Sequence, residues 1–135
     1  MKALIKHCQS FKGAEAWRSL FQLITTSVMY FALTGAMIYA YLHQVYWFVA
    51  LGMLPAAGLL VRLFIFQHDC GHGSFFNQAW ANTLVGRLIG ILTFTTHQFW
   101  KKAHNMHHAT SGNLSRRSAG AIDTLTVKEF AQLPP

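Results

Sequence analysis

An uncharged stretch of 43 residues, 19–61, is the feature that most limits how this chain can fold. It contains no Asp, Glu, Lys or Arg. A buried helix of a soluble protein needs about 10–14 apolar residues, whereas a membrane-spanning helix needs about 20. The stretch therefore predicts two membrane spans, at about residues 22–42 and 45–66, joined by a short turn at His43 and Gln44. A very apolar soluble helical bundle is the alternative.

The charged residues flank this stretch. Only 11% of the chain is charged, where about 25% is typical of soluble proteins. The net charge is +7. The flanking cations are Lys2, Lys6, Lys12 and Arg18 on one side, and Arg62, Arg87, Lys101, Lys102, Arg116 and Arg117 on the other. The positive-inside rule then predicts an integral membrane protein with both flanks on the cytoplasmic side. No platform of basic and aromatic residues is present, so we expect no nucleic-acid partner.

The rest of the chain predicts short helices and loops. Residues 83–95 are apolar but too few to cross a membrane, which indicates an interfacial or re-entrant helix. Residues 109–120 are rich in Ser, Gly and Arg and read as a loop. Asp123 or Thr124 is expected to cap a further short helix. The predicted fold class is all-α, a transmembrane helical hairpin plus cytoplasmic short helices, with residues 1–135 forming part of one domain.

Five of the eight histidines fall into two tight clusters. The clusters consist of His68 and His72, and of His104, His107 and His108 in a helical stretch that Trp100 opens. On a helix, residues three and four apart share one face, so each cluster presents several imidazoles in one direction. Neutral imidazole is the commonest side-chain metal ligand. The spacing predicts that these five residues bind metal, whereas the other three, His7, His43 and His97, are expected to be polar groups at the membrane edge.

The pattern favours two iron ions over one zinc ion. The HExxH pattern of zinc proteases needs a Glu after its first histidine, and Asp69 stands there instead. Five imidazoles also exceed the ligand set of a mononuclear catalytic zinc site, although spacing alone leaves zinc open. Asp69 can accept a hydrogen bond from a ligand imidazole and so orient it. A haem protein is a further alternative, but haem ligands are usually single, separated histidines within spans.

Two segments carry a resemblance to a known family. Residues 66–76, FQHDCGHGSFF, resemble the first histidine box of the membrane fatty acid desaturases. Residues 104–114, HNMHHATSGNL, resemble the second box, and residues 123–127 are similar to the segment that follows it in the bacterial acyl-lipid type. The resemblance extends over about residues 64–130. It identifies the chain as the N-terminal part of such a desaturase.

The resemblance implies an oxidoreductase that uses O2 and two electrons to introduce a double bond into an acyl chain. It implies a di-iron centre on the cytoplasmic side, whose ligands would include all five clustered histidines, with no catalytic residue beyond the metal ligands. The substrate would be a membrane lipid or another acyl compound. The electron donor would be a ferredoxin or a cytochrome b5-like protein.

The sequence also departs from the family pattern. The family has a third box, HxxHH, and further spans downstream, so five imidazoles do not complete its centre and this chain is expected to hold an incomplete site. Ser115, Ser118 and Ala121 stand where the family pattern has Asp, Gly and Asp. The alternatives are a truncated non-catalytic remnant and a related membrane di-iron hydroxylase or ketolase.

Overall fold

The computed structural model describes residue 4 and residues 7–8, 13–113 and 125–134. Within these ranges every regular element is an α-helix and no strand occurs, which confirms the all-α fold class. The chain divides into two compact units, Met1–His97 and Gln98–Pro135, which are described separately.

The first unit begins with a helical hairpin. Helix α1 spans Ala16–Leu42 and helix α2 spans Tyr46–His72. They are joined by the predicted turn, in which Gln44 has a positive φ of 61°. The helices approach closely where Gly52 faces Met37, since a Cβ at Gly52 would lie 2.8 Å from the Met37 sulfur.

Both hairpin helices have the length and composition of membrane spans. Each has 27 residues, or about 40 Å at 1.5 Å per residue, enough to cross the roughly 30 Å hydrocarbon core. Only 11% of the most apolar window of each helix is buried, and large apolar side chains such as Leu54 point outward. The core helix of a soluble protein would be mostly buried. The polar hydroxyls of Thr25 and Thr34 donate to carbonyls of their own helix, which satisfies them in an apolar surrounding.

Helix α2 continues well beyond the predicted span and ends only after the first histidine cluster. Pro55 lies inside it without ending it. At its C-terminus Gly73 adopts φ 70°, and the N–H groups of Gly73 and Ser74 donate to the carbonyls of Cys70 and Asp69. This Schellman arrangement satisfies the last carbonyls of the helix and stops it immediately after His72.

Helix α3 follows and spans Ala79–Leu92. It begins four residues earlier than the interfacial helix predicted at residues 83–95. The buried side chain of Asn82 explains the early start. Its carbonyl oxygen accepts from the Phe76 N–H at 2.9 Å, and its amide donates to the Phe76 carbonyl at 2.7 Å. Phe76 and its neighbour Phe75 are thereby held in a core with Phe66, Leu63, Cys70 and Ile89.

Two further helices follow. Helix α4 spans His97–Thr110 and carries the second histidine cluster; it begins three residues before Trp100 and continues two residues into the predicted loop. Helix α5 spans Val127–Phe130. Its N-cap is Thr126, which forms a capping box with Glu129, so the expected cap was wrong. Asp123 and Thr124 lie outside the described residues, as do Ser115, Ser118 and Ala121.

Candidate metal centre

The first histidine pair lies on the last turn of α2. Because the helix is unbroken to His72, His68 and His72 stay on one face, and their Nε2 atoms are 3.3 Å apart. The ring centroids are 4.6 Å apart, with the planes inclined at 70°. Two nitrogens that each lie about 2.0–2.1 Å from one metal ion are about 2.8–3.4 Å apart. The pair therefore has the spacing of two ligands on one ion.

Asp69 orients the first of these rings. Its Oδ1 lies 3.0 Å from Nδ1 of His68, and both side chains are only partly exposed. When Nδ1 donates its proton to this carboxylate, the lone pair at Nε2 is directed toward His72. Carboxylates that accept from the second nitrogen of a metal-binding histidine fix its tautomer and raise its basicity. The geometry matches the role that the sequence suggested for Asp69.

The second unit contains a similar pair of histidines on α4. The Nε2 atoms of His104 and His108 are 2.9 Å apart, and the ring centroids lie 4.5 Å apart at 89°. The indole of Trp100 stacks on the His104 ring at 4.5 Å and 16°, which limits the rotation of that ring. The second pair thus also has the spacing of two ligands on one ion.

His107 lies beside the second pair. Its ring centroid is 6.2 Å from that of His104 and 5.8 Å from that of His108. Its Nδ1 is shielded from solvent and has no hydrogen-bond partner among the described residues. A shielded ring nitrogen of this kind has its bonding capacity satisfied if a metal ion is bound. The donor set on the two helices, all imidazole, fits iron or zinc.

The remaining histidines differ in their surroundings. His97 is buried in the first unit, 4% exposed, and its ring packs on Gly86 of α3. It is therefore a packing residue rather than a polar group at the membrane edge. His43 lies in the hairpin turn with its ring 4.2 Å from that of Tyr39. Cys70 is 1% exposed within the apolar core, where it acts as a small packing residue.

Two buried amides near the first cluster were not singled out from the sequence. Asn82 shapes the loop after His72, and Gln67, directly before His68, is fully buried. The only sequence signal for Gln67 was a neutral polar residue within an apolar helix next to a candidate ligand. Asn82 had no such signal, because it stands just before the apolar stretch of residues 83–95.

Comparison with known proteins decides the family. The family model for fatty acid desaturases matches residues 42–121, more than half of the chain, and this range contains both histidine clusters. The chain belongs to the fatty acid desaturase family. Two long apolar helices and membership of this family together fit an integral membrane protein. No solved structure matches the chain.

Curated relatives extend the match to nearly the whole chain. A "Fatty acid desaturase" of Bacillus subtilis is 41% identical over 131 residues, which are 96% of this chain and 36% of that protein. An "Omega-3 fatty acid desaturase, chloroplastic" of Sesamum indicum is 30% identical over 98% of this chain and 30% of its own length. An "sn-2 acyl-lipid omega-3 desaturase (ferredoxin), chloroplastic" of Arabidopsis thaliana is 33% identical over 83% of this chain and 24% of its own length. The chain thus spans about a third or less of these relatives.

Proposed function

We propose that this desaturase-family chain supplies the first two ligand sets of a di-iron centre that introduces a double bond into a fatty acyl chain. The observation that carries the proposal is the Nε2 spacing within each histidine pair, 3.3 Å on α2 and 2.9 Å on α4. His68, His72, His104, His107 and His108 are the proposed ligands. Further ligands, like those of the family's third box, would complete the centre.

The side chains around the proposed ligands have defined tasks. Asp69 holds the His68 ring so that Nε2 faces the metal position, and Trp100 holds the His104 ring by stacking. When bound, the two irons supply O2 activation for attack on an unactivated C–H bond. The apolar hairpin anchors the protein where acyl chains lie.

The same proposal names partners and a side of the membrane. The substrate is the acyl chain of a membrane lipid or a related acyl compound, and the electron donor is a ferredoxin or a cytochrome b5-like protein. The name of the Arabidopsis relative includes ferredoxin, which supports this class of donor. The cations on both flanks of the hairpin support a cytoplasmic site.

The test combines metal analysis with lipid analysis. We expect the purified chain to retain iron, and a protein that joins it to the family's third box to bind about two irons. His68→Ala and His104→Ala should each lower the iron content, whereas His43→Ala, in the hairpin turn, should leave it unchanged. Iron binding that is indifferent to all three substitutions would refute the proposed ligands.

Product mass distinguishes the chemical alternatives. In cells that express this chain joined to the family's third box, a desaturase yields acyl chains lighter by two hydrogens, and a hydroxylase yields chains heavier by one oxygen. Absence of both products together with absence of iron would identify a non-catalytic remnant.

A further inference from the structure

Gln67 connects the helix of the first cluster with the turn that leads to the second. It directly precedes His68 on α2 and is 0% exposed. Its Oε1 accepts a hydrogen bond from the Thr93 hydroxyl at 2.9 Å, and its Nε2 donates to the Thr95 carbonyl at 3.3 Å. Both partners belong to the turn between α3 and α4, within the first unit.

This turn is fixed from its other side by α3. The Thr95 N–H donates to the Gly90 carbonyl at 2.8 Å, and a Cβ at Gly90 would lie 2.5 Å from the Thr95 oxygen. One turn earlier on α3, Gly86 contacts the ring of His97, the first residue of α4. The start of α4 is therefore held between a glycine surface on α3 and the amide of Gln67.

Helix α4 carries its histidine cluster well beyond this turn. His104 and His108 are seven and eleven residues beyond His97, or about 10 and 16 Å along the helix at 1.5 Å per residue. A tilt of about 10° at the first residue would move His108 by about 3 Å over that length. Metal ligands tolerate errors of only about 0.2 Å in distance.

We propose that Gln67 is a positioning residue of the metal centre, whose two hydrogen bonds fix the turn at which the helix of His104, His107 and His108 begins. The inference rests on the proposed function, in which both clusters serve one centre. An unpaired amide at a fully buried position would be costly, so the Gln67 amide favours the arrangement of the turn that satisfies both its oxygen and its nitrogen.

Cobalt(II) titration of the metal-free full chain in detergent micelles tests the role, with d–d absorption as the readout. Gln67→Met keeps the side-chain length but loses both bonds, and Thr93→Val removes the hydroxyl donor. We expect each to weaken cobalt binding by about tenfold or more and to alter the band shape. Thr93→Ser, which restores the donor, should return to the wild-type affinity. Thr25→Val, which removes a hydroxyl bonded only within α1, is the matched control.

The outcomes separate this inference from the function it rests on. Wild-type affinity and spectrum in both Gln67→Met and Thr93→Val would overturn the positioning role and leave the metal site intact. A wild-type chain that binds no cobalt would overturn the metal site and the positioning role together. Circular dichroism checks that each variant is helical, and Thr93→Val keeps the test decisive if Gln67→Met does not fold.

Discussion

Asp69 and its neighbour His68 illustrate how far residue types alone specify the site. The spacing of the five clustered histidines predicted two groups of ligands, and the helices place an Nε2 pair within each cluster. The adjacency of Asp69 to His68 suggested an orienting carboxylate, and the 3.0 Å contact has the required geometry. The sequence could predict these local contacts because the helix itself determines which residues one to four positions apart lie close together.

Substitution of Asp69 tests its effect on the metal. Asp69→Asn keeps the shape but removes the charge that favours a protonated Nδ1 on His68. We expect metal affinity, measured by cobalt titration, to fall about 10–100-fold. Glu15→Gln is the control, because Glu15 forms an exposed ion pair with Arg18. If both variants bind equally well, Asp69 does not orient the ligand.

Asn82 and Asn77 allow a matched comparison of buried and exposed amides. Each amide bonds both the N–H and the carbonyl of one residue, Phe76 for Asn82 and Ala14 for Asn77. Asn82 is 4% exposed, so Asn82→Leu leaves two backbone groups without partners in the core. We expect it to lower the free energy of unfolding by about 2–4 kcal/mol, and Asn77→Leu by less than about 1 kcal/mol. Thermal unfolding in detergent measures both, and equal losses would contradict the role of burial.

At the scale of elements, the hairpin was predictable and the boundaries of the shorter helices were not. A long segment without charged residues predicts membrane spans. Helix α1 contains the first predicted range, and α2 contains the second except for Val45, which is its N-cap. Helix α3 starts at Ala79 because the Asn82 side chain holds Phe76, a contact that is invisible in the hydropathy pattern. Helix α5 is capped by Thr126 because Glu129 lies three residues on, where it completes the capping box.

The packing of the turn before α4 against α3 depends on a glycine. Gly90→Ala would place a methyl group 2.5 Å from the Thr95 carbonyl oxygen, which belongs to backbone and cannot rotate away. We expect a loss of about 1–3 kcal/mol in the free energy of unfolding. Gly58→Ala, at a helical position with nothing within 4 Å, should cause no loss. The prediction fails if unfolding in detergent gives the same stability for both variants.

At the scale of the whole molecule, the charge pattern predicts the orientation of the hairpin. A membrane-impermeant maleimide should label the exposed Cys8 in inside-out vesicles and not in right-side-out vesicles. A cysteine introduced by His43→Cys, in the turn, should show the opposite accessibility. Cys70, which is 1% exposed, should remain unlabelled until the protein is denatured. Labelling of Cys8 and of the turn from the same side would exclude a transmembrane hairpin.

The sequence by itself determined the hairpin, the two histidine clusters and the family, because each depends on composition or on spacing within one helix. Only the tertiary structure decided the roles of Gln67, Asn82 and His97, since their partners lie 6 to 28 residues away along the chain or on another helix. A buried amide acquires its role from the backbone groups that folding places beside it. Hydropathy and periodicity describe the preference of each segment for apolar or polar surroundings, and they contain no information about which distant groups will meet.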